Sequence, residues 1–224
     1  MILAITGHRP HKLGGYNLPN PVANAVMLKL SESLKILKPE VVLTGMALGV
    51  DQWTAQICDE MQIPFDAIVA FKGYETKWPW HAQKWYRHLL GKARKVVTLS
   101  EGEYDPSLLH QRNYWMVDNS DALLAVWDGL PGSGTAGCVR YAQLKNPPKP
   151  AYRLDLTNDV WAMARVEEDL LKTRKAERNE RLAFMGAAPA PPPPVAAKLP
   201  RPPPPPPTDA IVFRRFVDVG DDEP

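Results

Sequence analysis

The sequence is poor in cysteine: it has two among 224 residues, and Cys58 and Cys138 stand far apart in no metal-like spacing. That argues against a disulfide scaffold and for a reduced, cytosolic-type protein. Long apolar runs are missing too, with no stretch approaching the roughly 18–20 residues that a membrane helix needs. The chain starts directly on the strand-like Ile2-Leu3-Ala4-Ile5, too short and too uncharged in front to read as a secretory signal. A soluble, cytoplasmic protein without membrane contact is the expectation. No charge of one sign dominates, because 27 Lys and Arg stand against 25 Asp and Glu for a formal net charge of +2. Phosphate contacts dominate nucleic-acid affinity and need basic side chains, so nucleic acid is not the expected partner, although local patches remain open. The five histidines, His8, His11, His81, His88 and His110, form no HExxH or Cys/His pattern, and no GxSxG elbow occurs. No metal ligand set and no catalytic residue is therefore singled out. Paired carboxylates for acid–base work are not evident beyond Asp51 and Asp128 on neighbouring loops.

What the sequence has in excess is proline, 24 in all, half of them between Pro189 and Pro207. Such a stretch lacks backbone donors and cannot build a core, so residues 186–208 read as a polyproline or disordered linker. It would be a spacer or a ligand for a protein partner of the SH3 or WW kind. Beyond it, residues 209–224 hold an apolar island, Ile211-Val212-Phe213, and end on Asp221-Asp222-Glu223. That tail suits either strand addition to a partner or no partner at all. Residues 158–185 read as a charged helix whose apolar stripe includes Val160, Met163, Ala164 and Leu170. It would be a solvated helix or a basic contact surface.

Upstream, residues 1–157 alternate apolar runs with helical stretches. Strands are predicted at 2–6, 40–44, 65–71, 95–100, 122–127 and 151–156, and helices at 21–37, 51–61, 81–92, 106–119 and 135–145. Strands alternating with crossover helices imply an α/β domain, a Rossmann-like, doubly wound and mostly parallel sheet with helices on both faces. Ligands of such sheets bind beyond the carboxyl ends of the strands. The loops there carry nearly all the chemistry of the chain.

The run Val41-Val42-Leu43-Thr44-Gly45 followed by Gly49 and Asp51 is a strand leading through a glycine loop into a helix. Orphan N–H groups at a helix start suit an anion, and glycine lets a phosphate approach the backbone. The alternative is a plain tight turn with Asp51 as a cap. Thr6-Gly7-His8-Arg9 follows the first strand, where Arg9 offers a fork of donors to phosphate or an ordinary ion pair. Gly132-Ser133-Gly134-Thr135 repeats the glycine, hydroxyl and helix-start design. Arg112 and Asn113 suit base or ribose contact, or helix capping. Trp78, Trp80 and Trp85 follow the third strand and suit an aromatic wall beside a base or, for Trp85 above all, the core.

Taken in order, TGHRPHKLGGYN, TGMALGVDQWTA, QRNYWMVDNSDALLAVWDG and PGSGTAG resemble the SLOG superfamily of Rossmann-like nucleotide-binding proteins, in its YpsA-like branch. Similar loops occur in the DNA-processing protein DprA, whose GxARGxD and RN elements are like Gly45 to Asp51 and Arg112-Asn113, and in the LOG phosphoribohydrolases. The resemblance covers about the first 155 residues. It implies a nucleotide, ADP-ribose or NAD-like ligand, often a homodimer, and no required cofactor. The implied ligand-binding positions are Thr6, Gly7, His8, Arg9, Thr44, Gly45, Gly49, Asp51, Arg112, Asn113, Gly132, Ser133, Gly134 and Thr135. LOG enzymes place a catalytic glutamate where this chain has Cys138, and the winged-helix domain of DprA is not in the sequence. A binding protein acting as sensor, sequestering agent or regulator is thus expected first, a nucleotide-processing enzyme second, and a DprA-like single-stranded DNA binder or interaction scaffold third.

Overall fold

Short β-branched runs bounded by glycine, proline and polar residues become the strands, and the amphipathic stretches between them become the helices. A computed structural model describes residues 1–17, 20–102 and 104–154, together with the backbone of 163–165. The chain divides into a unit of Met1–Tyr16 and Asn20–Glu167 and a second of Asn17–Pro19 and Glu168–Pro224. The second lies outside the described residues apart from Asn17. The expected proline-rich linker and apolar/acidic tail fall there too.

In the first unit the order is β1 (Ile2–Gly7), a 3-10 turn (Pro10–Lys12), α1 (Pro21–Leu37), β2 (Val41–Thr44), α2 (Val50–Glu60) and β3 (Phe65–Val69). Then come α3 (Trp80–Lys92), β4 (Lys95–Thr98), α4 (Pro106–Asp118), β5 (Ala122–Val126), α5 (Gly134–Gln143), β6 (Ala151–Leu154) and β7 (Met163–Arg165). The strands form one seven-stranded sheet in the order β4-β3-β2-β1-β5-β6-β7. The pairings from β4 through β6 are parallel, and β7 runs antiparallel to β6. This is the Rossmann-like, mostly parallel sheet that the alternation predicts. One segment differs: Met163–Arg165 is a strand paired to Leu154–Tyr152, where a helix over 158–185 is expected. Its three residues gain ladder hydrogen bonds along the β6 edge, which a charged helix there would leave open. The remainder of that predicted helix lies outside the described residues.

Alternation along the central strands sends side chains to opposite faces. Leu3 and Ile5 of β1 pack with Val26, Leu30 and Leu34 of α1, Ala55 and Cys58 of α2 and Tyr86 of α3. Ala4 and Leu43 face the other way, onto Met116 and Val117 of α4 and Cys138 and Val139 of α5. Helix α1 starts where Asn20 caps it, its Oδ1 accepting from Ala23 N at 3.0 Å, and Pro21 fits the first turn. It stops at Lys38, which adopts a left-handed conformation with φ 47°. Edge strand β4 is largely exposed and carries Lys95, a charge that discourages pairing with another sheet. No helix among the described residues is long and apolar enough to cross a membrane.

Candidate ligand site at the switch point

The chain runs outward from β1 through β2 and β3 to β4, then returns to β5 on the other side of β1. The loops leaving β1 and β5 therefore diverge and open a crevice at the carboxyl edge of the sheet. His8 N still donates to Val126 O at 3.2 Å, so the two strands stay paired to the lip of the crevice. Beyond that point Asp128 gathers the first loop. Its Oδ1 lies 3.1 Å from His8 Nε2, its Oδ2 3.3 Å from Lys12 Nζ, and Leu130 N donates to Oδ1 at 3.0 Å. Asp128 N donates to His8 Nε2 at 3.3 Å, which suits a neutral imidazole. Burial lowers the His8 pKa against the attraction of Asp128. Burial alone would raise the Asp128 carboxyl, but the Leu130 N–H and His8 outweigh it and hold it below its ordinary value.

The second loop is closed by the protein's own groups. Arg112, on α4, donates from Nη1 to Gly45 O and from Nε to Asn113 Oδ1 at 3.1 Å. Its Nη1 stands 3.5 Å from Asp51 Oδ2, and both side chains are buried. Asp51 also accepts from Ala47 N at 3.2 Å, while Thr44 Oγ1 donates to Asp51 O at 2.7 Å. Burial raises the Asp51 pKa, and Arg112 and Arg9 oppose the rise. A methyl at Gly45 would fall on the Arg112 guanidinium, and one at Gly7 would sit 2.6 Å from the Val50 side chain. At Gly49, with φ +98°, it would sit 2.9 Å from Pro10 Cδ, so an L side chain meets both strain and contact there. These three glycines let the β1 and β2 loops and α4 close on one another.

The loop before α5 is different. Ser133 caps the helix, its Oγ accepting from Ala136 N at 3.1 Å. A methyl on Gly132 or Gly137 would meet nothing within 4 Å, and one on Gly134 only Asn113 Nδ2 at 3.7 Å. The start of this helix thus borders open space at Gly132 and Gly137, with Asn113 beside Gly134. Cys138, one turn in, is buried and its thiol is pushed up to about 12, chiefly by burial. It is a packing residue and no substitute for a carboxylic acid.

Twelve of the fourteen sequence-predicted positions lie at the ends of β1 and β2, on the loops after β1, β2 and β5 or on the first turns of α2 and α5, while Arg112 and Asn113 come from the middle of α4, and together they fall in two classes. Thr44, Gly45, Gly49, Asp51 and Arg112 form a self-satisfied wall; Arg9, Asn113, Gly132, Ser133, Gly134 and Thr135 border the opening. Thr6, Gly7 and His8 connect the two, and Thr6 lies within reach of the Cys138 thiol. Trp78 is half-buried against the core, its ring 5.1 Å from Tyr74 and 5.3 Å from Tyr86. Trp80 is 74% exposed, and Trp85 stacks on His88 at 5.2 Å and packs against the core, both on α3. Sequence reasoning missed Tyr74, whose hydroxyl accepts from Arg9 Nη2 at 3.0 Å. The signal available was an aromatic one residue past Gly73 in a loop at the ligand edge. Among the described residues no group of three or more His, Cys, Asp and Glu could hold a metal ion.

A family model described as the YspA SLOG family, YpsA, matches residues 3–156. An uncharacterized SPbeta prophage-derived protein, YoqJ, of Bacillus subtilis strain 168 is 31% identical over 144 residues, covering 54% of this chain and 84% of that protein. A UPF0398 protein of Bacillus cereus is 28% identical over 143 residues, covering 59% of this chain and 77% of its own length. The solved structure of DNA processing protein A from Helicobacter pylori, described for its single-stranded DNA binding mode, is similar with a TM-score of 0.47 and 20% identity. That alignment covers 83% of this chain and 80% of the other.

Proposed function

The chain belongs to the YspA SLOG family, and from that premise we propose that it binds a nucleotide-derived small molecule, of the nucleotide, ADP-ribose or NAD-like class, as a sensor, sequestering protein or regulator. The observation that carries the reading is the open start of α5. Gly132, Gly134 and Gly137 have room for an incoming group, the helix supplies orphan N–H donors and the positive end of its dipole, and Arg9 leaves β1 at the same carboxyl edge of the sheet. A phosphate is the group this donor set suits. The ribose and base would extend past Asn113 and Thr135.

Binding without turnover is the better fit to the side chains. Asp51 is occupied by Ala47 N and Arg112, Asp128 is held ionised and cannot donate a proton at neutral pH, and Cys138 keeps its own proton. Isothermal titration with ADP-ribose, NAD and linear and cyclic nucleotides tests the reading; a folded protein that binds none of them overturns it. Mass spectrometry after long incubation separates binder from enzyme, since released base or ribose phosphate would convert the reading to hydrolysis. A gel shift with single-stranded DNA at low salt is the third arm, and retention there without small-molecule binding would replace the proposal.

A further inference from the structure

We infer that Tyr74 is a positioning residue for the phosphate of that ligand: it fixes the Arg9 guanidinium at the crevice before the ligand arrives. The inference rests on the nucleotide-binding reading and adds the residue that would set its affinity. Arg9 leaves β1 on a half-buried loop, and an arginine there carries a large rotamer entropy that a ligand would have to freeze. Here the Tyr74 hydroxyl holds it, at 3.0 Å from Nη2. Tyr74 in turn is 8% exposed, and its ring sits in an aromatic box. Phe71 lies edge-on at 5.3 Å, Trp78 at 5.1 Å and Tyr86 at 6.5 Å. A ring fixed on several sides cannot follow Arg9, so Arg9 takes the position of the hydroxyl.

That position is useful. The guanidinium stays on the β1 side of the crevice, where its charge opposes the rise that burial gives the Asp51 carboxyl. The Tyr74 hydroxyl can take only one of the five N–H donors of a guanidinium, so this bond does not use up the fork. A neutral acceptor is the apt partner, because a carboxylate would compete with the phosphate for the same fork. The aromatic segment after β3 thereby acquires a purpose: it holds one cation in place.

The test is Tyr74→Phe, which removes one oxygen and keeps the ring packing. ADP-ribose affinity should fall about tenfold, the size expected for losing a hydrogen bond to a charged group. Adenosine, which has no phosphate, should bind wild type and variant alike, and the melting temperature should stay within a few degrees. In an Arg9→Gln background the same substitution should change ADP-ribose affinity by less than twofold, because the residue it positions is gone. Equal losses for ADP-ribose and adenosine would mean Tyr74 only shapes the fold. Unchanged or tighter ADP-ribose binding would mean the bond is idle, or a latch that the ligand must break. Either result overturns this inference and leaves nucleotide binding standing, whereas a wild-type chain that binds no nucleotide removes both.

Discussion

Alanine at Gly45 and alanine at Gly134 should act oppositely on the same protein. At Gly45 the new methyl overlaps the Arg112 guanidinium, so Arg112 has to swing out. It then abandons Gly45 O and Asn113 Oδ1 and leaves the buried Asp51 carboxylate without its cation. Breaking a buried pair on one side costs roughly 3–5 kcal/mol. For a domain of this size each kcal/mol moves the melting temperature by about 2–4 °C, so a drop on the order of 10 °C is expected. Gly134 opens α5 with only Asn113 Nδ2 near, at 3.7 Å. Alanine suits a helix better than glycine by up to ~1 kcal/mol, and the melting temperature should hold or rise by about 2 °C. Ligand affinity should nevertheless fall roughly tenfold or more, since a methyl now stands where the phosphate approaches and overpacking costs about 1–3 kcal/mol. Thermal unfolding by circular dichroism and titration with ADP-ribose read both quantities. A Gly45→Ala protein as stable as wild type would refute the self-satisfied wall, and a Gly134→Ala protein with full affinity would refute the approach at α5.

Stability should rise with pH across the histidine range. Burial lowers the His8 pKa below its ordinary value, so the unfolded chain binds the proton more readily. Its contribution is complete above about pH 6.5 and is lost as pH falls through the lowered folded value; a His8→Gln variant should flatten the melting temperature between pH 7.5 and 5.5, and an unchanged slope would assign it elsewhere. Asn20→Ala removes a cap that accepts from Ala23 N and donates to Leu13 O and Gly15 O, so a loss of about 2 kcal/mol in urea unfolding is expected, and a loss below ~0.5 kcal/mol would show the loop repacks. Cys58 and Cys138 are both buried with thiols pushed up to about 12. Neither should react with a thiol reagent in the folded protein at pH 8, whereas prompt labelling of one would mean that its helix opens.

The alternation of apolar runs made the fold legible, because each buried strand of a parallel sheet is short, β-branched and flanked by turn residues. Helix α1 falls at Pro21–Leu37, the bounds that the sequence predicts. Strand ends were less legible: Ala70 and Phe71 are buried like the strand before them but lie beyond β3, since hydrophobicity reports burial rather than pairing. Strand β7 was hidden because three residues on a sheet edge have no period of their own. At the site, the sequence singles out loops that the fold brings to one edge of the sheet, yet it cannot separate one glycine from another. Gly45 and Gly132 look alike in a motif; the first is backed by Arg112, which arrives from 67 positions away, and the second by nothing. Tyr74 was invisible for the same reason, as its tie to Arg9 spans 65 positions.

The interlocked glycines also bear on how such a protein could be redesigned or diversify. Gly7 against Val50, Gly49 against Pro10 and Gly45 against Arg112 couple the loops after β1 and β2 with α4 into one mechanical piece. Grafting any of them alone from a relative would import a mismatch at two other places. The segment Gly129–Gly134 is tied less widely, by the bonds of Asp128 and Trp127 to Leu130, the Ser133 cap and the positive φ of Gly129 and Gly132, so new ligand preferences are most cheaply encoded at its other positions, one short cassette at a time, against a fixed anvil.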